Sequence, residues 1–188
     1  MKFRPLYRKI SIWLALPLLV SAMTGVAYRI GRSWFGMSSQ IGGEILSIHS
    51  WSWLGKAGSL AVIWVVGCGL LFLCGSAFQM LWSSGRQVLR SPQKNRLWHR
   101  LMGAFLLIPL AASAISGIAY RTGEAFDISE DTLDLLMSIH EGDWLGKEIK
   151  PFYILVLGLG LGLIIISGLL LFFSEKINRC AEKQRVFL

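Results

Sequence analysis

Charged residues are scarce in this chain, and four long stretches have none. Only 16% of its 188 residues are Asp, Glu, Lys or Arg, whereas 54% are hydrophobic. A soluble domain carries more charge than this, so a soluble enzyme is excluded. The uncharged runs are residues 10–28, 57–82, 101–120 and 151–173. About 20 apolar residues cross a hydrocarbon core of ~30 Å, so we predict an all-α integral membrane protein with four transmembrane helices.

Familiar catalytic motifs are also lacking. The chain has no Walker loop, no GxGxxG dinucleotide turn, no HExxH helix and no CxxC pair among its three cysteines. The four runs contain no charge, which argues against an ion or proton transporter. The connections are too short for a separate soluble catalytic domain. We predict no catalytic residue, and whether the protein is an enzyme stays open.

The few acidic residues are unevenly placed, and this predicts an orientation. The segments 1–9, 83–100 and 174–188 hold 13 of the 19 basic residues, whereas the connections 29–56 and 121–150 hold nine of the 11 acids. Under the positive-inside rule both termini and the middle connection are cytoplasmic, and the other two connections are outer loops. The net charge of +8 therefore reflects topology and contact with anionic lipid in the bilayer. No folded basic module remains to bind nucleic acid.

The chain contains an internal duplication. The segment 17–31 returns as 109–123, and the segment 48–56 returns as 139–147. We predict two units of two helices, 1–90 and 91–188. Both copies enter the membrane in the same orientation, which makes a tandem parallel repeat about an axis along the membrane normal. A removable signal peptide is excluded for the first run, because that run is repeated inside the membrane.

Small residues recur in both copies of the first helix. Ser21 and Gly25 correspond to Ser113 and Gly117. This spacing is typical of close packing between membrane helices, which is the interpretation we favour. A second interpretation is that the glycines leave room for a flat macrocycle.

A tyrosine and an arginine follow the same helix in both copies, as Tyr28 and Arg29 and as Tyr120 and Arg121. An interfacial tyrosine belt and snorkelling arginines explain them. Alternatively, the guanidinium groups pair with the carboxylates of a bound ligand and the tyrosines line its rim. Both interpretations stay open.

Two of the three histidines, His49 and His140, occupy equivalent positions in the outer loops. A parallel repeat would place them face to face, where two neutral imidazoles can bind one iron axially. The alternative is a pair of interfacial histidines that bind water or headgroups. Each histidine ends a short amphipathic stretch that we predict to be helical. The apolar residues of these stretches are Ile41, Ile45 and Ile48 in the first copy, and Leu133, Leu136 and Met137 in the second.

The third histidine, His99, lies at the cytoplasmic end of the third run. The membrane thickness separates it from the other two, so it cannot share their iron. Its counterpart in the first copy is Tyr7. Either an inner site uses His99 with a different second ligand or with none, or there is no inner site; tyrosine ligates haem in some proteins.

These features resemble the PepSY-associated transmembrane helix family, which includes iron-regulated bacterial membrane proteins. The segments that carry the resemblance are 97–103, 116–117, 139–140, 144–146 and 167–170, with weaker matches in the first copy. The resemblance implies b-type haem, with His49, His99 and His140 as candidate ligands, and a bacterial cytoplasmic or internal membrane. It further implies electron transfer linked to reduction of ferric iron or siderophores. The outer loops are too short to contain the periplasmic PepSY domain.

Two hypotheses follow. In the first, the protein is a haem b electron-transfer protein that exchanges electrons with a redox partner in the membrane, with its haem between His49 and His140 and the propionates on Arg29 and Arg121. In the second, it is a cofactor-free accessory or assembly subunit of a larger membrane complex. The aromatic residues Trp34, Trp51, Trp53 and Trp144 of the outer loops suit such a partner contact as well as a lipid interface.

Overall fold

The chain folds into helices. The computed structural model describes residues 4–84 and 94–186, and no strand occurs within these ranges. The proposed boundary between the two units, at residues 90 and 91, lies outside the described residues. The helices are α1 (Arg4–Trp34), α2 (Ser39–His49), α3 (Gly55–Ser84), α4 (Lys94–Ala125), α5 (Glu130–Glu141) and α6 (Lys150–Val186). Single 3-10 turns at Ser52–Leu54 and Asp143–Leu145 precede α3 and α6.

Four of these helices are long and apolar enough to cross a membrane. The candidate spans are Tyr7–Trp34, Ser52–Ser83, Lys94–Ala125 and Lys150–Ser174. Many of their large apolar side chains are exposed, as expected for surfaces that face lipid. The protein is therefore a multi-pass membrane protein with the four predicted spans.

The spans form a bundle in which α1 and α4 occupy opposite corners. Helix α1 packs against α3 and α6, and α4 packs against the same two helices. The buried core lies between α4 and α6, where Leu106, Leu110, Leu157 and Leu161 contact one another. Because α1 and α4 are diagonal, groups that line both helices face the interior from opposite sides.

Equivalent glycines bring the spans together at equivalent places. A Cβ on Gly67 of α3 would lie 2.5 Å from the Ile118 side chain of α4, and a Cβ on Gly158 of α6 would lie 2.3 Å from the Val26 side chain of α1. Both contacts join one half of the chain to the other. The absence of a side chain at these glycines lets the helices approach this closely.

The short helices α2 and α5 bring the chain back along the C-terminal ends of α1 and α4. Helix α2 packs on α1, and α5 packs on α4. The Ser38 hydroxyl accepts the Ile41 N–H and caps the start of α2, whereas Glu130 and Asp131 stabilise the first turn of α5 through the helix dipole. His49 is the last residue of α2, and His140 is the penultimate residue of α5. Both histidines therefore lie where the chain turns towards the next span.

Candidate functional site

His49 and His140 lie next to each other in the bundle. Their ring centroids are 6.4 Å apart, and the ring planes are inclined by 58°. The two residues belong to different halves of the chain and are 91 positions apart in the sequence. The packing of α2 on α1 and of α5 on α4 thus brings together the two histidines that the duplication had singled out.

Each imidazole is held by a backbone carbonyl of the span beside it. The Nδ1–H of His49 donates to the Ser21 carbonyl at 2.8 Å, and the Nδ1–H of His140 donates to the Ser113 carbonyl at 2.9 Å. A carbonyl oxygen can only accept, so Nδ1 carries the hydrogen in both rings. In the neutral imidazole Nε2 then keeps its lone pair. Both rings present the tautomer in which Nε2 can bind a metal.

The two imidazole rings pack directly against Gly25 and Gly117, which we call the seat glycines. A Cβ on Gly25 would lie 3.0 Å from His49 Cε1, and a Cβ on Gly117 would lie 3.1 Å from His140 Cε1. Each ring therefore lies flush against its helix backbone. The sequence favoured helix–helix packing for these glycines, but the nearest groups to their Cβ positions are the histidine rings.

The surroundings favour the neutral form of both imidazoles. Burial lowers the pKa of His49 below its ordinary value of 6.5, and the neighbouring His140 lowers it further, against smaller opposing effects of the Ser21 hydrogen bond and Glu141. Burial also lowers the pKa of His140, against the Ser113 hydrogen bond and Glu141. Neutral imidazole is the form that ligates metals.

These pKa shifts predict a pH-dependent stability. The unfolded chain, with an ordinary histidine pKa of 6.5, takes up more protons below that pH than the folded protein does. The stability contributed by the neutral pair is therefore complete above about pH 6.5 and is lost as the pH falls below it. We expect the thermal midpoint of the purified protein in detergent to drop in this range. In a variant with His49→Gln and His140→Gln the drop should shrink; an equal drop in both proteins would contradict the assignment.

An ionic network borders the pair on the side of His140. Glu141, the next residue, forms ion pairs with Arg29 of α1 and with Lys150 at the start of α6. Lys150 also lies 2.7 Å from Asp143. The bond from Arg29 to Glu141 joins the two halves of the chain beside the histidines.

Beside His49, neutral serines stand at the positions equivalent to Glu141 and Lys150. Arg121 pairs with Glu124 and donates to the hydroxyl of Ser59 at 2.8 Å. Ser59 is fully buried and donates in turn to the Ser50 carbonyl at 2.6 Å. Ser50 and Ser59 correspond to Glu141 and Lys150 in the repeat. Because these residues differ between the two copies, the repeat in the sequence does not mark them as parts of the site.

The tyrosines and arginines predicted for the site follow Gly25 and Gly117 by about one turn along α1 and α4. Arg29 and Arg121 are both half-buried and both have protein partners, as described above. The Tyr28 ring lies against Gly42 of α2, where a Cβ would approach it to 3.4 Å. Tyr120 is half-buried beside Arg121.

His99 is remote from the pair. It precedes Gly117 by 18 residues in the same helix, which corresponds to about 27 Å along the axis. The His99 Nδ1–H donates to the Ser167 hydroxyl at 2.8 Å, and the ring lies against Gly168. Ser167 donates onward to the Ile164 carbonyl at 3.0 Å. His99 thus repeats the arrangement of a ring held through Nδ1 beside a glycine.

The sequence did not identify the groups that hold the rings. The carbonyls of Ser21 and Ser113 are the acceptors, and their repetition in both copies was the only available signal. Within residues 4–84 and 94–186, no group of three or more His, Cys, Asp or Glu side chains has the arrangement of a metal site. At the end of the bundle where α1 and α4 finish, the structure has a pair of imidazoles flanked by two arginines.

No known protein family matches this chain, and neither a curated protein nor a solved structure matches it.

Proposed function

We propose that this protein binds haem b between His49 and His140 and transfers electrons in a membrane. The observation that carries the proposal is the facing pair of neutral imidazoles, each fixed through Nδ1 so that Nε2 is available. Haem proteins commonly take axial ligands from histidine. Hydrogen bonding of Nδ1 to a carbonyl is the usual way in which proteins orient such ligands.

The spacing of the rings fits one metal ion between them. A metal–nitrogen distance of about 2 Å on each side, with roughly 1 Å from each nitrogen to its ring centre, gives about 6 Å between centroids. The observed separation is 6.4 Å. The two imidazoles would supply two ligands to this metal through their Nε2 atoms.

The arginines support an anionic ligand at the outer rim. Arg29 and Arg121 follow the seat glycines by four residues, about one helical turn, on opposite helices. Their ion pairs with Glu141 and Glu124 show that each guanidinium is within reach of a carboxylate. In the proposed complex they would pair with the haem propionates, and Tyr28 and Tyr120 would line the rim.

The chain's own residues would hold the cofactor and tune its environment. When bound, haem supplies an iron that cycles between two redox states. The carbonyls of Ser21 and Ser113 orient the imidazoles and raise their basicity, the apolar spans limit access of water, and Glu141 places a negative charge beside the pair.

The parallel two-unit architecture is part of the proposal. Equivalent contacts support it: Gly67 meets Ile118 as Gly158 meets Val26, and Gly69 meets Leu14 as Gly160 meets Leu106. A twofold axis along the membrane normal would relate these pairs and would pass between the two histidines. Cytoplasmic termini, a bacterial membrane and kinship with the PepSY-associated family remain parts of the proposal, as does a link to reduction of ferric iron or siderophores. His99 remains the candidate ligand of a separate inner haem.

A visible spectrum tests the proposal. The full chain, produced with haem precursor and purified in detergent, should show a b-type Soret band and a sharp alpha band in a reduced-minus-oxidised difference spectrum. A low-spin signal from two histidines should accompany them. A colourless protein that does not take up added haem, and that co-purifies with a stoichiometric membrane partner, would instead favour the accessory-subunit hypothesis.

A further inference from the structure

Trp51, two residues after His49, is bound to the same serine as that histidine. The Trp51 indole N–H donates to the Ser21 hydroxyl at 3.2 Å. The His49 Nδ1–H donates to the Ser21 carbonyl at 2.8 Å. The end of α2 is therefore attached to α1 through both polar groups of one residue. A ring attached at a single atom can pivot, whereas a second bond two residues away restricts that motion.

The backbone of Trp51 is in an unfavourable conformation. Its φ is +57°, in the left-handed region that bulky residues rarely adopt. The equivalent residue of the second copy is Gly142, with φ of +73°. Glycine adopts this conformation without strain. A tryptophan here must therefore contribute through its side chain, and the bond from its indole to Ser21 is the polar contact that does so.

The second copy holds His140 by an equivalent carbonyl bond but surrounds it with different further contacts. Without an indole at position 142, the Ser113 hydroxyl lies 3.3 Å from His140 Nδ1. The space over Gly142 is filled by the Tyr153 ring, which a Cβ there would approach to 2.5 Å. Glu141 ties the end of α5 to Arg29 and Lys150. Neutral hydrogen bonds therefore hold the end of α2 beside His49, whereas ion pairs hold the end of α5 beside His140.

We infer that Trp51 is the positioning residue of His49, and that its bond to Ser21 fixes the imidazole in the orientation a metal requires. This inference rests on the proposed role of His49 as a ligand. The support is specific to one side, because Ser113 has no indole partner among its hydrogen bonds in the described structure. Loss of the indole N–H should therefore affect His49 and leave His140 in place.

Two variants of the full chain separate the bond from the bulk of the ring. Trp51→Phe removes the N–H and keeps an aromatic ring, and Trp51→Gly installs the residue found in the second copy. The readout is ¹⁵N NMR of labelled histidine in lipid nanodiscs without haem, which follows exchange of each Nδ1–H with water. We expect at least tenfold faster exchange at His49 in both variants and no change at His140. The matched control is Trp53→Phe, because the Trp53 side chain is 61% exposed and lies against Trp51 without bonding Ser21.

A second readout uses the haem-loaded protein. The dissociation constant for haem should rise by about tenfold in Trp51→Phe, in the range found for residues that orient metal ligands. Unchanged exchange at His49, or equal acceleration at both histidines, would overturn the inference. If the wild-type protein binds no haem, the proposed function fails, while the exchange measurement still decides whether Trp51 positions His49.

Discussion

Replacement of either facing histidine by alanine should remove haem from the outer site. His49→Ala and His140→Ala each delete one of the two proposed ligands and leave the other imidazole opposite an empty position. Groups that only orient a ligand are worth about 10 to 100-fold in affinity, so loss of the ligand itself should cost more than about 100-fold. The measurement is titration of each variant with haem, followed by the height of the reduced alpha band.

The control for these variants is His99→Ala. His99 lies about 27 Å from the pair along α4, so this change should leave the outer signal intact. Loss of the signal in His99→Ala, with retention in His49→Ala and His140→Ala, would move the haem to the other end of the bundle. Retention of the haem signal in all three variants would mean that none of these histidines is the haem ligand.

Filling the space at Gly25 or Gly117 should weaken haem binding although every candidate ligand is kept. A Cβ on Gly25 or Gly117 would already press on the imidazole at 3.0 or 3.1 Å, and Gly25→Leu or Gly117→Leu adds three further carbons. Leucine is a better helix former than glycine, so the span itself should not suffer. Displacement of the ring by about 1 Å is enough to spoil a preorganised site. We expect a loss of at least about tenfold in haem affinity by the same titration.

The chain contains a matched control for this substitution. Gly103 lies in α4, the helix that carries Gly117, and a Cβ there would meet nothing within 4 Å. Gly103→Leu should bind haem like the wild-type protein and should have a similar thermal midpoint. If Gly103→Leu loses as much haem affinity as Gly117→Leu, then added bulk anywhere in the spans weakens binding, and the contact between Gly117 and His140 is not the cause.

The spans were predictable because the signal for them is local. A run such as 57–82 has no charge over 26 residues, and the structure has a helix there whatever its neighbours do. The two interesting histidines were also found from the sequence, since the duplication marks them. The third histidine, His99, has Tyr7 at the equivalent position of the first copy, so the duplication does not mark it.

The supports of the site were not predictable. Ser21 acts through its carbonyl, which every residue has, so its identity says nothing about that role. Glu141 and Lys150 belong to the acid-rich connection 121–150, where a solvated surface is the ordinary expectation. Trp51 was one of several outer-loop tryptophans, and only its left-handed backbone and its bond to Ser21 distinguish it.

The sequence by itself determined that this is a four-span membrane protein with a duplicated histidine, because hydrophobic length and internal repetition are properties of the chain read in one dimension. The tertiary structure alone decided that the two rings face each other at 6.4 Å, that both carry hydrogen on Nδ1, and that glycines seat them. Those features depend on how α2 and α5 fold back along diagonal helices. Contacts between residues 23 to 91 positions apart follow from helix packing, which local patterns do not encode.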